Sequence, residues 1–357
     1  MKSKEITSSS GKAILIIPED SDDLFTLRRI IKTDNIVVSD TSRVIKFEKE
    51  YSRPDRERVK IRVSVKVEKI GLDESIDRLR IAGTIIESNN SLVPKGTFHS
   101  IIVQIGNNIV VEKGKKWEDL DLKLLKSQFV GTFIIVAIDT KESGIAKIAG
   151  THLEIIPNIY SGQSGKYFTQ GAKNNPSIEV FFEEVYLALH NIVNEDGNYK
   201  IIIFGPGETK RRFYNFIIGK KSVYKDISTV IDGIDVAGED GILVFLRSPS
   251  LKEVMGSSKI FFVSAILDNI MLQVSRGEEK YVMGFREVDE AIKLKSVESI
   301  VFSDSIFKDL KEEQIINMLN TAEKYGANVY AVDSSTDIGL RVSALGGIVA
   351  LLRYQLR

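Results

Sequence analysis

The chain has 357 residues, of which 43% are hydrophobic, and its 49 basic residues balance its 49 acidic residues. This length exceeds what one hydrophobic core usually holds, so we expect two or three domains. A net charge of zero means that any nucleic-acid-binding surface is local. The absence of cysteine excludes disulfides, thiolate metal sites and cysteine nucleophiles. Neither an apolar run of about 18 residues nor a signal-peptide pattern is present, which favours a cytoplasmic protein outside the membrane.

Residues 1–128 are predicted to form mainly strands, in a small antiparallel sheet that curls into a barrel. Residues 59–67 are typical, because apolar and mostly basic residues alternate there, so that one face is buried. One helix is expected to begin with Ser21 as its N-cap, where Asp22 and Asp23 suit the helix dipole. The predicted strands are 12–17, 35–39, 44–47, 59–67, 79–86, 98–105 and 109–111, and a closing helix is predicted over 119–128.

Residues 129–256 are predicted to form an α/β domain. Two apolar strands, 129–139 and 144–150, form a hairpin that is followed by a glycine-rich loop over 160–175. Asn175 and Pro176 then favour the start of a helix that runs to 194. The remaining elements are a strand over 200–204, a helix from about 208 and a strand over 241–246.

Residues 257–357 repeat the alternation in a smaller form, which predicts a third domain, an α/β/α sandwich. Its predicted helices are 259–273, 285–295 and 308–325, and its strands are 299–303, 328–333 and 348–354. The fold class expected for the whole chain is therefore multidomain α+β and α/β.

Residues 41–70 contain ten Lys and Arg residues against five acids, a local net charge of +5. Phe47 and Tyr51 lie among them and provide rings on which exposed bases could stack. The planar guanidinium of arginine suits phosphates and bases, whereas lysine also protects ordinary sheet edges. Both an RNA-binding surface and a solvated sheet therefore stay open. The RNA-binding candidates are Arg43, Lys46, Arg53, Arg56, Arg58, Lys60 and Arg62.

Few other residues suggest chemistry. The turn at 205–210 and the loop at 161–167 both lack the Gly-Lys-Ser/Thr ending of a phosphate-binding loop, so nucleotide binding is disfavoured. No two of the three histidines share the spacing of metal ligands. The acidic run of Glu19, Asp20, Asp22 and Asp23 has two interpretations, a divalent-cation site or the cap of the following helix.

Several ordered motifs resemble the Pelota family, which is paralogous to class-1 translation release factors. The C-terminal segment GGIVALLRY at 346–354 resembles the closing signature of that family. Matching segments also occur earlier in the chain. They are LRIAGTI at 79–85, Gly96 with His99, Lys113 with Trp117, IIIFGPGETK at 201–210, Tyr281 with Gly284, and SIVFSDSIF at 299–307.

The resemblance implies an Sm-like first domain (1–128) that enters the decoding site, a release-factor-like central domain (129–256) and a partner-binding third domain (257–357). It implies a factor for ribosome rescue and mRNA surveillance, including no-go decay, that recognises stalled ribosomes and promotes their dissociation. The implied partners are the ribosome with its mRNA, a translational GTPase of the elongation-factor class and an ABC-type recycling ATPase. We expect a monomer that needs no cofactor for this role.

Two features bear on activity. Release factors carry Gly-Gly-Gln in a central loop, whereas the comparable segment here reads Ser161-Gly162-Gln163, so no peptidyl-tRNA hydrolysis is expected. An endoribonuclease activity of the first domain, with a divalent cation held by Asp20, Asp22 and Asp23, is the alternative that the resemblance leaves open. Partner contacts are expected at Pro206, Gly207 and Thr209, although Glu208 departs from the family pattern.

Overall fold

The computed structural model describes residues 1–8, 11–47, 55–73, 78–114, 116–126, 132–162, 178–193 and 199–356. The chain forms two compact units. One comprises Met1–Gln128 together with Val263–Arg357, and the other is Phe129–Phe262. The fold class is multidomain α+β, as predicted.

The N-terminal part of the first unit is an antiparallel sheet of seven strands. Its order is β1-β2-β7-β3-β4-β5-β6. The strands are β1 (Lys2–Ser8), β2 (Gly11–Ile17), β3 (Ile36–Phe47), β4 (Asp55–Leu72), β5 (Leu79–Ser88), β6 (Phe98–Val103) and β7 (Ile109–Glu112), and the helices are α1 (Ser21–Ile30) and α2 (Asp119–Leu125). The His99 Nε2 atom lies 3.3 Å from Thr41 Oγ1, so the sheet curls until β6 approaches β3. The predicted barrel-like curvature is therefore confirmed.

Three details of the prediction for this part were wrong. The polar start of the chain contains strand β1, which pairs with β2 along its whole length. Residues 35–39 and 44–47 belong to one strand, β3, because β4 pairs with it without a register shift across Asp40. The N-cap of α1 is Asp20 rather than Ser21, since the Asp20 carboxylate accepts a 2.8 Å hydrogen bond from the Asp23 backbone N–H.

The second unit is a five-stranded sheet, β10-β9-β8-β11-β12, with helices. Its elements are β8 (Thr132–Ile138), β9 (Glu142–Ala149), β10 (His152–Tyr160), α3 (Ile178–Ile192), β11 (Tyr199–Phe204), α4 (Thr209–Lys220), α5 (Tyr224–Ile227), β12 (Ser228–Val230), α6 (Gly238–Leu246) and α7 (Ser250–Met255). The predicted hairpin of β8 and β9 is confirmed, whereas β10 was not predicted. The predicted helix start at Asn175 and Pro176 lies outside the described residues.

The predicted strand over 241–246 was wrong, because these residues belong to helix α6. Ile242 and Phe245 are buried while Val244 is 45% exposed, which is a helical pattern of burial. A short apolar run does not distinguish a buried strand from a buried helix turn. Tertiary packing decides here, since α6 lies against β8 and β9, and a Cβ atom on Gly241 would lie 3.1 Å from the Ala137 side chain of β8.

The C-terminal part of the first unit surrounds a four-stranded sheet, β13-β16-β14-β15. Its elements are α8 (Lys259–Arg276), which begins at the end of the second unit, β13 (Tyr281–Met283), α9 (Phe285–Lys293), β14 (Val297–Ser303), α10 (Ile306–Asp309), α11 (Glu312–Lys324), β15 (Asn328–Val332), α12 (Asp337–Ala344) and β16 (Ile348–Leu352). Strands β14 and β15 are parallel, and β16 runs antiparallel to β14. Helix α12 was not predicted; it begins at Thr336, whose hydroxyl accepts the Gly339 backbone N–H.

Helix α1 joins the N-terminal and C-terminal parts of the first unit. Phe25 belongs to the C-terminal core, where its ring centroid lies 5.0 Å from that of Phe302. Arg28 forms an ion pair with Glu312, and the same carboxylate accepts a hydrogen bond from the Leu72 backbone N–H. The N-terminal and C-terminal parts of the first unit are therefore joined by an interface that contains both apolar contacts and ion pairs.

Arg29, one residue further along α1, lies at the centre of that interface. Its side chain is 3% exposed and forms an ion pair with Glu323, which is 9% exposed. Its Nε atom also donates a 2.8 Å hydrogen bond to the Asn320 side chain. Both partners come from α11, so α1 and α11 are joined by charged groups that have left solvent.

Candidate nucleic-acid interface

The basic residues predicted to bind RNA lie on the hairpin of β3 and β4. The two strands pair continuously from Ile36 with Lys66 to Phe47 with Asp55, where the described part of the hairpin ends. Arg53 lies outside the described residues. Lys46 and Arg56 are direct partners in the strand register, and Arg58 pairs with Val44. The fold thus places predicted candidates from two sequence segments on one hairpin.

Three of the candidates have described side chains. Lys60 and Arg62 are exposed on β4, and Arg43 is partly exposed on β3. Arg62 lies 3.6 Å from the Asp40 carboxylate, and both side chains are at least half exposed, so solvent weakens this pair. The guanidinium group of Arg62 therefore stays accessible to an external anion.

Arg43 is fixed more firmly than the other candidates. Its Nη1 atom donates a 3.0 Å hydrogen bond to Thr97 Oγ1, which lies just before β6. Burial lowers the pKa of the neighbouring His99, and the Arg43 charge lowers it further. His99 is thus favoured as a neutral ring that contacts Thr41. This cluster was not predicted, because it joins β3 to Thr97 and His99, which are far from β3 in sequence.

The acidic run before α1 is occupied by structural interactions. Asp20 caps the helix, and the Asp23 carboxylate accepts a 2.7 Å hydrogen bond from the Glu19 backbone N–H. The Met1 amine forms ion pairs with Asp23 at 2.7 Å and with Glu19 at 2.9 Å. Burial raises the pKa of Asp23, and the Asp20 charge raises it further. These oxygens serve the cap and the amine, which agrees with the capping interpretation.

No group of three or more acidic or histidine side chains suited to a metal ion occurs among the residues that the structure describes. Asp22 lies in the first turn of α1, where a carboxylate is favoured by the helix dipole. Asp20, Asp22 and Asp23 are therefore positioned by the start of one helix. The geometry gives the metal interpretation no support beyond their closeness in sequence.

The turn predicted to contact a partner links β11 to α4. Gly205 has a φ of +138°, and a Cβ atom there would lie 2.1 Å from the Ile138 carbonyl oxygen, so only glycine fits. Pro206 is partly exposed and Gly207 is exposed, whereas Thr209 is 5% exposed. The turn thus presents Pro206 and Gly207 at its surface and packs Thr209 beneath them.

Lys210, Arg211 and Asp232 hold that turn in place, and the sequence did not indicate their role. The Lys210 Nζ atom donates a 2.8 Å hydrogen bond to the Gly205 carbonyl and lies 3.1 Å from Asp232. Arg211 forms 2.7 Å ion pairs with both Glu208 and Asp232. The hydrogen bond from Lys210 lowers the pKa of Asp232, and the Arg211 charge contributes. Glu208 and Asp232 thus share the Arg211 guanidinium.

The segment compared with Gly-Gly-Gln follows β10. Ser161 is 6% exposed, and its backbone N–H donates a 2.7 Å hydrogen bond to the Lys141 carbonyl. Gly162 has a φ of +69°, a value that glycine adopts without strain. Gln163 lies outside the described residues. This segment thus begins with a buried serine that is anchored to the β8–β9 turn.

Comparison with known proteins finds matches at both ends of the chain and across its length. A family model for the Pelota N-terminal domain matches residues 1–129, and a model for eRF1 domain 3 matches residues 262–356. The chain is 51% identical to a protein pelota homolog from Nitrosopumilus maritimus over 346 residues, which cover 96% of this chain and 97% of the relative. This chain belongs to the pelota family. The relationship spans nearly the whole chain, so the resemblance inferred from separate motifs is confirmed.

Other pelota proteins extend the comparison. A homolog from Cenarchaeum symbiosum is 39% identical over 345 residues, which cover 96% of this chain and 97% of that protein. The crystal structure of the Thermoplasma acidophilum Pelota protein matches with a TM-score of 0.63 at 22% identity and covers 99% of this chain and all of that one. That structure supports the pelota fold. In the described part of this chain, no helix is long and apolar enough to cross a membrane.

Proposed function

We propose that this protein is a ribosome-rescue factor of mRNA surveillance, including no-go decay, that binds stalled ribosomes and promotes their dissociation. The observation that carries the proposal is its 51% identity to a pelota homolog across almost the full length of both chains. The role implied by the family motifs is that of a binding factor rather than a small-molecule enzyme. It needs no cofactor and acts in the cytoplasm as a monomer.

In this proposal the β3–β4 hairpin contacts RNA at the decoding site. Lys60 and Arg62 are exposed on β4, and Arg43 is held on the paired strand by Thr97. The hydrogen-bonded hairpin fixes the backbone that carries these cations, which reduces the conformational entropy lost when they bind phosphates. Lys46, Arg53, Arg56 and Arg58 extend the same basic segment in sequence.

The remaining parts have separate roles in the proposal. The central unit occupies the place of a tRNA acceptor arm, and its loop carries Ser161 in place of a catalytic glycine, so the peptide is not released. The turn formed by Pro206 and Gly207 faces a translational GTPase, with Thr209 as its buried support. The ABC-type ATPase then separates the subunits. In the proposal, residues 1–128 bind RNA at the decoding site, residues 129–256 form the central domain, and residues 257–357 bind partner proteins.

The endoribonuclease alternative gains no support from the described geometry, because the carboxylates of Asp20 and Asp23 already accept backbone N–H groups. The Asp20 carboxylate caps the helix, and the Asp23 carboxylate pairs with the Met1 amine. We therefore propose no catalytic role for this acidic run.

The proposal is tested by measuring binding to purified stalled ribosomes over a range of salt concentrations. A triple variant with Arg43→Gln, Lys60→Gln and Arg62→Gln removes three cations from the hairpin. Each lost phosphate contact reduces the magnitude of the slope of log K against log salt by roughly 0.7 to 0.9, so loss of all three should reduce it by about 2 to 3. The control replaces three exposed cations of the C-terminal part, Lys293, Lys308 and Lys311, by Gln. Equal slopes for the hairpin variant and this control would reject the assignment.

A further inference from the structure

The basic part of the β3–β4 hairpin extends beyond the rest of the N-terminal sheet. Among the described residues, β7 pairs with β3 only as far as Ser39, and β5 pairs with β4 only from Val63 onward. Residues 40–47 therefore pair with residues 55–62 as a two-stranded ribbon. Such a ribbon is only marginally stable in water without further support. Its direction therefore depends on the contacts that hold its base.

The β4 strand of the ribbon is held at its base by Asn89, which follows β5. The Asn89 side-chain Oδ1 atom accepts a 2.9 Å hydrogen bond from the Arg62 backbone N–H. The Asn89 backbone N–H in turn donates a 3.1 Å hydrogen bond to the Arg62 carbonyl. These two bonds fix the backbone of Arg62 just beyond the residues of β4 that pair with β5.

The β3 strand of the ribbon is held by residues at the start of β6. The Arg43 Nη1 atom donates a 3.0 Å hydrogen bond to Thr97 Oγ1. Two residues earlier on β3, the Thr41 hydroxyl lies 3.3 Å from His99 Nε2. Both strands of the ribbon are thus held from the segment that joins β5 to β6. We call the three residues of this segment that hold them, Asn89, Thr97 and His99, the clamp.

The segment that carries the clamp is itself anchored. Val93 is 4% exposed and packs in the core of the N-terminal part. The Thr97 carbonyl accepts a 2.9 Å hydrogen bond from the Ile85 backbone N–H, and the Thr97 hydroxyl donates a 2.9 Å hydrogen bond to the Pro94 carbonyl. Because that hydroxyl has a single proton, its oxygen serves as the acceptor for Arg43. The clamp therefore gives the ribbon a fixed support.

Two of the residues that the clamp holds are RNA-binding candidates. Arg43 is held by its side chain, whereas Arg62 is held by its backbone and keeps a side chain that is 52% exposed. Burial and the Arg43 charge both lower the pKa of His99, so the clamp adds no cation of its own. A ribbon whose direction is fixed before binding loses less conformational entropy when its cations meet phosphates.

We propose that Asn89, Thr97 and His99 are positioning residues that fix the direction of the ribbon for RNA binding. Thr97 acts through Arg43, and Asn89 acts through Arg62. The inference rests on the proposed function, because the ligand is the RNA of a stalled ribosome. It adds that the affinity depends on the direction of the ribbon as well as on its charge.

The first test measures the direction of the ribbon in the free protein. The chain contains no cysteine, so spin labels on Asp55→Cys and Lys123→Cys report the distance from the described end of the ribbon to α2. Thr97→Val, and separately Thr41→Val, should broaden the distribution of that distance in double electron–electron resonance. Thr97→Ser keeps the hydroxyl and should retain the wild-type distribution.

Thr84→Val provides the matched control. The Thr84 hydroxyl donates to the Glu68 carboxylate, which lies on a part of β4 that backbone pairing already joins to β5. This variant should keep the wild-type distances and the wild-type binding, and thermal melting should show that all the variants fold. Equal distance distributions for Thr97→Val, Thr41→Val and Thr84→Val would overturn the proposal.

Binding to purified stalled ribosomes over a range of salt concentrations provides the second test. Thr97→Val should weaken binding by about three- to tenfold, as expected for one lost hydrogen bond, and should leave the salt slope unchanged because every cation is kept. Lys60→Gln should instead reduce the magnitude of that slope by roughly 0.7 to 0.9. In an Arg43→Gln background, Thr97→Val should cause no further loss, since Thr97 acts through Arg43.

Three outcomes of the second test would reject the positioning role. They are wild-type binding by Thr97→Val, a slope reduced as much as in Lys60→Gln, and full additivity of Thr97→Val with Arg43→Gln. The distance measurement needs no ribosome. Broadened distances together with no binding of stalled ribosomes by wild type would therefore reject the proposed function alone, so the two failures are distinguishable.

Discussion

Arg29→Met should weaken the interface between the N-terminal and C-terminal parts of the first unit and lower the free energy of unfolding. Arg29 and Glu323 are 3% and 9% exposed, so removing the arginine leaves a carboxylate that is out of solvent without its charge partner. Loss of one partner of a buried ion pair costs about 3 to 5 kcal/mol, whereas an exposed pair contributes about 0 to 1 kcal/mol. The matched control is Arg341→Met, because Arg341 and its partner Asp268 are 40% and 70% exposed.

Urea unfolding followed by tryptophan fluorescence measures this effect. The single tryptophan, Trp117, is 5% exposed and lies in the core of the N-terminal part, so its signal reports that part specifically. For an unfolding slope of about 3 kcal/mol per molar, the midpoint for Arg29→Met should fall by roughly 1 M or more. The Arg341→Met midpoint should move by only a few tenths of that.

A second substitution distinguishes the lost attraction between Arg29 and Glu323 from the cost of burying an unpaired Glu323 carboxylate. Adding Glu323→Leu to Arg29→Met removes the uncompensated carboxylate, so much of the lost stability should return. If Arg29→Met unfolds at the same urea concentration as Arg341→Met, the buried interface of α1 and α11 does not stabilise this unit. The Arg29–Glu323 ion pair would then not be what joins the N-terminal and C-terminal parts of the unit.

Three further predictions concern individual residues. Gly205→Ala should lower the melting temperature by several degrees, because its Cβ meets the Ile138 carbonyl at 2.1 Å, while the control Gly219→Ala, with open space around it, should not. The folded-state pKa of Asp232 is depressed, so the charged Asp232 should stabilise the fold above about pH 4. Asp232→Asn should therefore be less stable than wild type at neutral pH, and this difference should vanish as the pH falls through the depressed pKa. Asp20→Ala should destabilise α1 by about 1 kcal/mol, and wild type and Asp20→Ala should both leave incubated RNA uncut with or without Mg²⁺; cleavage by wild type that Asp20→Ala abolishes would contradict the capping role.

The sequence predicted the elements whose burial has a clear period. Strand β4 was recognised from the alternation at 59–67, and α11 lies within the helix predicted over 308–325. Helix α6 was misassigned because its six-residue apolar run fits either period, and its packing against β8 and β9, where Gly241 meets Ala137, is not visible in composition.

The candidate site was predicted only in part, for a similar reason. The basic hairpin was found because its charge is concentrated in one sequence segment. The partners that position it, such as Thr97 for Arg43, come from strands that are adjacent only after folding. The same applies to Asp232 under the Pro206 turn and to Glu323 against Arg29. Long-range ion pairs carry no local pattern, so only the fold reveals them.

The most direct test of the rescue role is the dissociation of stalled ribosomes into subunits, followed by sedimentation. Purified stalled ribosomes would be mixed with this protein, the translational GTPase, the ABC-type ATPase and their nucleotides. Wild type should produce free subunits without releasing peptide from the peptidyl-tRNA. The triple variant of Arg43, Lys60 and Arg62 should produce them at least about tenfold more slowly, since each lost phosphate contact weakens binding. Subunit release no faster than with the partner proteins alone would contradict the account.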